Sequence, residues 1–388
     1  MASDHPGNTG SSSSPYAAAS AAGSSAASPP TSPGYTGDVQ RFVVYGAGAI
    51  GGVLGARLHA AGHEVVLIAR GAHLAAIRAG GLRVESPDGS ETLRIPAVSG
   101  PDEIDWRPGD VVLLAMKSTD TEAAVRALAA VADPATPVVC VQNGVANEPT
   151  VLRHFANVYG VHVMFPATHL TPGVVQAQSA PVTGILDLGR YPRGVDGTAE
   201  RIAAAFRSAT FACEPRPDIM RGKYVKLLGN LGNAIDALCG RPNADDTDDA
   251  DDPDGGDPRE IVERLRAEGT AVLEAAGIEF MSFAEDRARR GDLIQVRPVN
   301  GQARTGSSSW QSLARSTGAI EADHLNGEIV LLGRLHGVPT PANELARRLA
   351  NQAARAGDPP GSLRVADFWK LLAAAEAAES DEAVLPRS

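Results

Sequence analysis

Cysteine is scarce in this 388-residue chain: Cys140, Cys213 and Cys239 lie far apart and none forms a C-x-x-C pair. That argues against a disulfide framework and a thiolate zinc site, and it suits a reducing cytoplasm. Aromatic residues are only 4% of the total, yet apolar content as a whole reaches 43%, enough for sizeable cores and a length that accommodates two domains. No stretch approaches the roughly 20 uninterrupted apolar residues of a membrane-spanning helix, so no membrane association is expected. Lys and Arg are absent before Arg41. A signal peptide needs a basic start and an apolar core, and a transit peptide is rich in arginine, so neither is expected. Residues 1–38 are mostly Ser, Ala, Gly and Pro and read as a disordered tail. Basic residues (35) are outnumbered by acidic ones (46), for a net charge of −11, and no basic footprint for nucleic acid is present. Much of the acidity is local. Eight aspartates fall within 245–257, interrupted by Pro253 and Gly255-Gly256, and setting them aside leaves a net charge of −3. The segment 244–258 reads as a solvated acidic loop between two helices. Its spacing does not meet that of a calcium-binding EF-hand, and no metal is expected.

The most informative segment runs from residue 41 to 70, RFVVYGAGAIGGVLGARLHAAGHEVVLIAR. An apolar strand leads into Gly46-Ala47-Gly48-Ala49-Ile50-Gly51, a helical pattern follows, Gly62 ends it, and a second apolar strand closes the unit. Strand, G-x-G-x-x-G, helix and strand within about 30 residues is the dinucleotide-binding fingerprint in its required context. Gly46 is expected to allow the tight turn, Gly48 to let the backbone approach a pyrophosphate, and Gly51 to let the helix pack on the strand. A pyrophosphate would rest on the unpaired N–H groups of the helix start. An NAD-preferring site carries an acidic residue at the end of the second strand. Here that strand ends Ile68-Ala69-Arg70-Gly71, with no Asp or Glu close in sequence. Arg70 offers a planar fork of donors for a 2′-phosphate, and His73 a further donor, so NADP(H) is the expected cofactor; the alternative is an ordinary surface arginine.

Apolar strands recur at 111–116, 138–141, 158–163 and 184–188, with helical stretches at 121–132 and 199–208 between them. This alternation predicts a mostly parallel sheet covered on both faces. The stretches 82–85 and 92–95, joined through Pro87-Asp88-Gly89, look like an added hairpin. Beyond about residue 218 the pattern is helical: 219–238, 259–276, 304–313, 318–336, 342–354 and 365–378. A Rossmann-type α/β domain over 39–215 and an all-α domain over 216–380 are therefore expected.

Ligands of open α/β sheets meet the carboxyl ends of the strands. Lys117 ends one strand there, and Gln142-Asn143-Gly144 another, although Asn-Gly is also common in plain turns. On the helix after residue 218, Lys223, Lys226, Asn230 and Asn233 fall within an arc of about 80° at 100° per residue, with apolar residues over the rest. Two lysines and two asparagines without a carboxylate favour an anion cleft over a solvated edge. Ser308 is either a carboxylate ligand or part of a serine-rich helix start, and Glu321 either a functional group or a favourable charge at a helix N-terminus.

GAGAIGG, Lys117, QNG at 142–144, KLLGNLGNA at 226–234, and SSSWQSL followed by IEADHLNGEI and HGVPTP together resemble the ketopantoate reductase (2-dehydropantoate 2-reductase) family, from about residue 41 to 350. The resemblance implies a Rossmann domain joined to an all-helical domain of the 6-phosphogluconate dehydrogenase C-terminal type, with the active site between them. It implies reduction of 2-dehydropantoate with NADPH, on the way to pantothenate and coenzyme A, in the cytoplasm, with a homodimer as the candidate assembly. Carried over by position, Lys226 matches the proton donor and Glu321 the acidic residue near cofactor and substrate. Asn230, Asn233, Asn243 and Ser308 match substrate ligands. Gly46 to Gly51, Arg70, Lys117 and Asn143 match the cofactor side. Asn230 and Asn233 are three apart where the family spaces its pair by four. The aspartate run begins two residues after Asn243, and an extra residue stands between Gln311 and Glu321. These departures leave another 2-keto acid open as the substrate; a non-catalytic NADP-binding sensor is the third reading.

Overall fold

The computed structural model of the chain describes residues 41–169, 171–240, 256–302, 306–316 and 318–384, with side chains described to 377. The expected tail 1–38, most of the acidic loop 244–258, and Asn243 lie outside the described residues. The first strands and helices are β1 (Arg41–Tyr45), α1 (Ala49–Ala60), β2 (Glu64–Ile68), α2 (Gly71–Gly80), β3 (Leu82–Ser86), β4 (Gly89–Leu93), β5 (Ala97–Val98), β6 (Val111–Leu114) and α3 (Thr121–Ala129). They are followed by β7 (Val138–Cys140), α4 (Asn147–Leu152), β8 (Val158–Met164), β9 (Ala167–Thr168), β10 (Val174–Ala177), β11 (Gly184–Arg190), α5 (Gly197–Ser208) and β12 (Phe211–Ala212). Among the described residues these strands form an eight-stranded sheet in the order β12-β11-β8-β7-β6-β1-β2-β5, and a four-stranded one, β4-β3-β10-β9.

In the larger sheet every neighbouring pair is parallel except β8 and β11. A parallel sheet is covered on both faces, and its strands read as unbroken apolar runs. Phe42, Val43 and Val44 of β1 and Val111 to Leu114 of β6 are accordingly fully buried. The β1–α1 turn works as its glycines suggest. Gly46 has φ +99°, which a side chain would strain. A Cβ on Gly51 would fall on the Gly46 carbonyl and within 2.9 Å of Ala115 Cβ and Val44 Cγ1, so only glycine brings α1 this close to the sheet. The expected hairpin exists as β3–β4, but it is half of the second sheet, paired in parallel with β10.

From residue 219 onward the described elements are helices: α6 (Ile219–Asn230), α7 (Asn233–Cys239), α8 (Pro258–Ala275), α9 (Phe283–Arg290), α10 (Ser308–Ala314), α11 (Asn326–His336), α12 (Pro341–Ala356) and α13 (Val365–Val384). The single helix expected over 219–238 is broken at Leu231–Gly232, and a Cβ on Gly232 would come within 3.0 Å of Val262 of α8. That expected over 318–336 is a 3-10 turn, Glu321–His324, followed by α11. The helices share a core that includes Leu227, Leu231, Leu265, Ile329, Leu345 and Phe368. Glu268, buried in that core, accepts the Ala342 and Asn343 backbone N–H groups at 3.0 Å and Asn343 Nδ2 at 2.8 Å, satisfying the orphan donors at the start of α12. Among the described residues no helix is long and apolar enough to cross a membrane.

One ion pair fixes α6 to the sheet. Lys223 Nζ lies 2.6 Å from Glu148 Oε1 of α4, both side chains almost wholly enclosed (2% and 0% exposed). The same ammonium donates to the carbonyls of Gln142 (3.0 Å) and Val161 (3.4 Å), beyond β7 and within β8. Removing one member of such a pair strands the other charge in the core. Lys223→Ala is therefore expected to lower unfolding free energy by about 3–5 kcal/mol, and Lys223→Met combined with Glu148→Leu to recover most of it. Urea-denaturation midpoints measure both; a small loss in the single variant would mean that the charges are effectively solvated.

Candidate active site

The carboxyl ends of β1, β2, β6 and β7, together with α6, α8, α9 and α10, enclose one cleft of about 1280 Å³. Gly46, Ala47, Gly48, Ala49 and Ile50 line it at the start of α1, and Arg70, Lys117 and Asn143 line it at the ends of β2, β6 and β7. From the helical side Lys226, Asn230, Asn233, Ser308 and Glu321 face the same cavity. Gly51 does not line it, because it is the packing glycine behind the turn.

The polar stripe on α6 needs a correction. Lys223 is not part of the cleft but is turned into the sheet by Glu148. The residues that line the cleft are Lys226, Gly229, Asn230 and Asn233, the i, i+3, i+4, i+7 pattern of one helical face carried across the break into α7. Asn230 is only 6% exposed, and its Nδ2 has no hydrogen-bond partner among the described residues. A buried amide left with free donors at the wall of a cleft is suited to a ligand that accepts. Ser307, not Ser308, caps α10 by accepting the Trp310 N–H at 3.2 Å.

Glu321 Oε1 accepts the Ser118 N–H at 3.0 Å. Lys117 Nζ donates to Ser312 Oγ at 2.7 Å, so two hydrogen bonds join the end of β6 to the helical elements across the cleft. Burial lowers the pKa of Lys117 while the Glu321 carboxylate opposes that shift. Burial, with the charges of Lys226 and Lys223 nearby, pushes His162 down to about 3, so this imidazole is neutral; its Nε2 lies 3.3 Å from Asp286 Oδ1.

Two expectations on the cofactor side change. His73 offers no spare donor: its Nδ1 accepts the Gly173 N–H at 2.9 Å, which leaves the proton on Nε2, 2.7 Å from the Ala47 carbonyl. Arg70 does meet a carboxylate, Asp120 Oδ2 at 2.9 Å, brought in by the loop after β6 rather than by its own strand. Both side chains are open to solvent, at 75% and 46%. Residues that sequence reasoning missed are Arg266 on α8, and Phe283, Asp286, Arg287 and Arg290 on α9. The start of α9 was marked in the sequence: Ser282 and Glu285 form a reciprocal capping box, the S-x-x-E signature of a helix start.

Residues 42–193 match the family described as ketopantoate reductase PanE/ApbA, and residues 218–354 its C-terminal part. The 2-dehydropantoate 2-reductase of Halobacterium salinarum is 30% identical over 322 residues, covering 82% of this chain and 100% of that protein. A solved PanE/ApbA family ketopantoate reductase from Ralstonia eutropha JMP134 is 29% identical with a TM-score of 0.66, covering 82% of this chain and 99% of that one. The ternary structure of D-mandelate dehydrogenase with NADH and anilino(oxo)acetate shares the fold at a TM-score of 0.68 and 21% identity, over 82% of this chain and 100% of that one. This chain belongs to the ketopantoate reductase PanE/ApbA family.

Proposed function

We propose that this chain reduces 2-dehydropantoate to pantoate with NADPH, a step toward pantothenate and coenzyme A. The observation that carries this reading is the convergence on one cleft of Lys226, Asn230, Asn233, Ser308 and Glu321 from the helical side and the glycine turn from the sheet. The turn fits a dinucleotide. A Cβ on Gly48 would have no atom within 4 Å, so this backbone is open on the side where a pyrophosphate would approach. The three dispersed cysteines, two of them buried, fit a reducing cytoplasm.

When bound, NADPH supplies the hydride to the keto carbon. The chain's own groups do the rest. Lys226 polarises the carbonyl oxygen and gives a proton to the alkoxide as it forms. Asn230, with its unpartnered amide, and Asn233 and Ser308 hold the carboxylate and hydroxyl of the substrate. Glu321 keeps the Ser118 backbone in place beside Lys117 and sets a negative charge near the reacting groups. Arg70 takes the 2′-phosphate at the outer end, in exchange for or beside Asp120.

Three measurements test this. Lys226→Ala is expected to lower kcat by on the order of 10²-fold or more, the scale of general acid catalysis, with NADPH affinity nearly unchanged. A kcat within threefold of the unmutated protein would remove Lys226 from the chemistry. Arg70→Ala is expected to reduce the NADPH-over-NADH ratio of kcat/KM by about tenfold, chiefly through KM, since the contact lies far from the reacting carbon. Equal use of both cofactors by the unmutated protein would contradict the assignment. Gly48→Ala is expected to keep the melting temperature and weaken NADPH binding, whereas Gly51→Ala is expected to lower the melting temperature by forcing α1 off the sheet. Calorimetric titration and thermal unfolding read the two effects separately.

A further inference from the structure

The cleft that holds Lys226 and Asn230 is also lined by groups that the reduction of a monocarboxylate does not require. Gly229 leaves space in it: a Cβ there would meet nothing within 4 Å. The groups are Arg266, Phe283, Arg287 and Arg290, with Asp286 as the one acidic member. Each guanidinium has a distinct setting. Arg266 lies over the Phe283 ring, 5.4 Å from its centroid, and its buried Nε has no hydrogen-bond partner among the described residues. Arg290 is held by Asp286 at 2.6 Å and likewise keeps a buried, unpartnered Nε. Arg287 is exposed at the rim and has no ion pair with any described residue. These groups line the same cleft as Lys226 and Asn230, and Asp286, which holds Arg290, lies 3.3 Å from the His162 ring. They come from α8 and α9, whereas the glycine turn and Arg70 belong to the sheet side of the cleft.

Three guanidinium groups against one carboxylate leave surplus positive charge in a concave site, an arrangement that concentrates and orients anions. We propose that Arg266, Arg287 and Arg290 form a second anion subsite, so that the cleft also takes 2-keto acids carrying a second anionic group at the end remote from the keto carbon. This rests on the reductase reading, in which Lys226, Asn230, Asn233 and Ser308 engage the keto-acid end, and it extends the substrate class of that same site. The planar forks of Arg266 and Arg290, each pre-positioned by a neighbour, suit bidentate recognition of a carboxylate or a phosphate.

The test uses the full chain with NADPH and two five-carbon acids that differ only in the terminal group: 2-oxoglutarate and 2-oxovalerate. 2-Dehydropantoate is the third substrate. The unmutated protein is expected to favour 2-oxoglutarate over 2-oxovalerate in kcat/KM by at least about tenfold, the scale of a charge-assisted contact. Arg266→Gln combined with Arg287→Gln is expected to remove that preference through KM and to leave 2-oxovalerate within about threefold. Calorimetric binding of 2-oxoglutarate is measured alongside and is expected to weaken in the double variant. No preference for 2-oxoglutarate overturns the subsite, as does an equal loss with both acids, which would mean general steering of anions. Reduction of 2-dehydropantoate with either of those outcomes leaves the reductase reading standing. If no keto acid is reduced while 2-oxoglutarate still binds in an arginine-dependent way, the reductase reading falls and the subsite stands.

Discussion

The active cleft depends on a contact that is not in it. Lys223 and Glu148, 2.6 Å apart and shut away from water, tie the first half of α6 to the carboxyl end of β7 and the middle of β8. A buried ion pair adds little net stability, but it holds only in one geometry, since a shift of either partner leaves a charge without compensation. The geometry it fixes here is the rotation of a helix. Three residues along an α-helix is about 60° of rotation short of a full turn. With Lys223 locked into the sheet, Lys226, Gly229 and Asn230 therefore lie along the cleft. The sheet makes room for the pair through Gly160, where a Cβ would approach Glu148 Oε1 to 3.2 Å and Lys223 Cδ to 3.3 Å.

Other polar contacts set how far the two walls of the cleft stand apart. Lys117 reaches Ser312, and Glu321 reaches the backbone of Ser118. On the far side Arg289 of α9 holds Asp187 of β11 through two hydrogen bonds, of 2.7 and 2.6 Å, with the carboxylate 3% exposed. This paired arrangement is charge-assisted and directional. The walls are thus joined by hydrogen bonds at defined points and are lined between those points by cationic groups.

Much of the fold and of the site could be read from the chain, for a local reason: the glycine turn, its strands and the helical periods are encoded within short segments. What could not be read depends on residues distant in sequence. Lys223 and Lys226 occupy one narrow arc of a helical wheel, and only the arrival of Glu148 separates a structural lysine from one that faces the cleft. The carboxylate opposite Arg70 is not on its own strand: Asp120 follows the next strand but one along the sheet. The break in the helix falls at Gly232, a poor helix former, where a side chain would crowd Val262 of α8. His73 became structural through the backbone of Gly173, a hundred positions away.

The division between scaffold and site shows in which polar groups are satisfied. Glu268 takes up three donors at the head of α12, and Lys223 three oxygens at the sheet edge. These groups are spent on the fold. Along the cleft, Asn230 Nδ2, Arg266 Nε and Arg290 Nε are buried and unpartnered among the described residues. The contrast is not absolute, since Asn326 Oδ1 in the helical core, and Arg57 Nε, Thr168 Oγ1 and Gln178 Oε1 elsewhere, are also without a hydrogen-bond partner among the described residues. What sets the cleft apart is that three such donors, Asn230 Nδ2, Arg266 Nε and Arg290 Nε, line one cavity. A buried donor without a partner destabilises the folded chain by about 1–3 kcal/mol. Along the cleft a bound ligand can supply the missing acceptors, and the free energy those donors cost the empty fold is then recovered on binding.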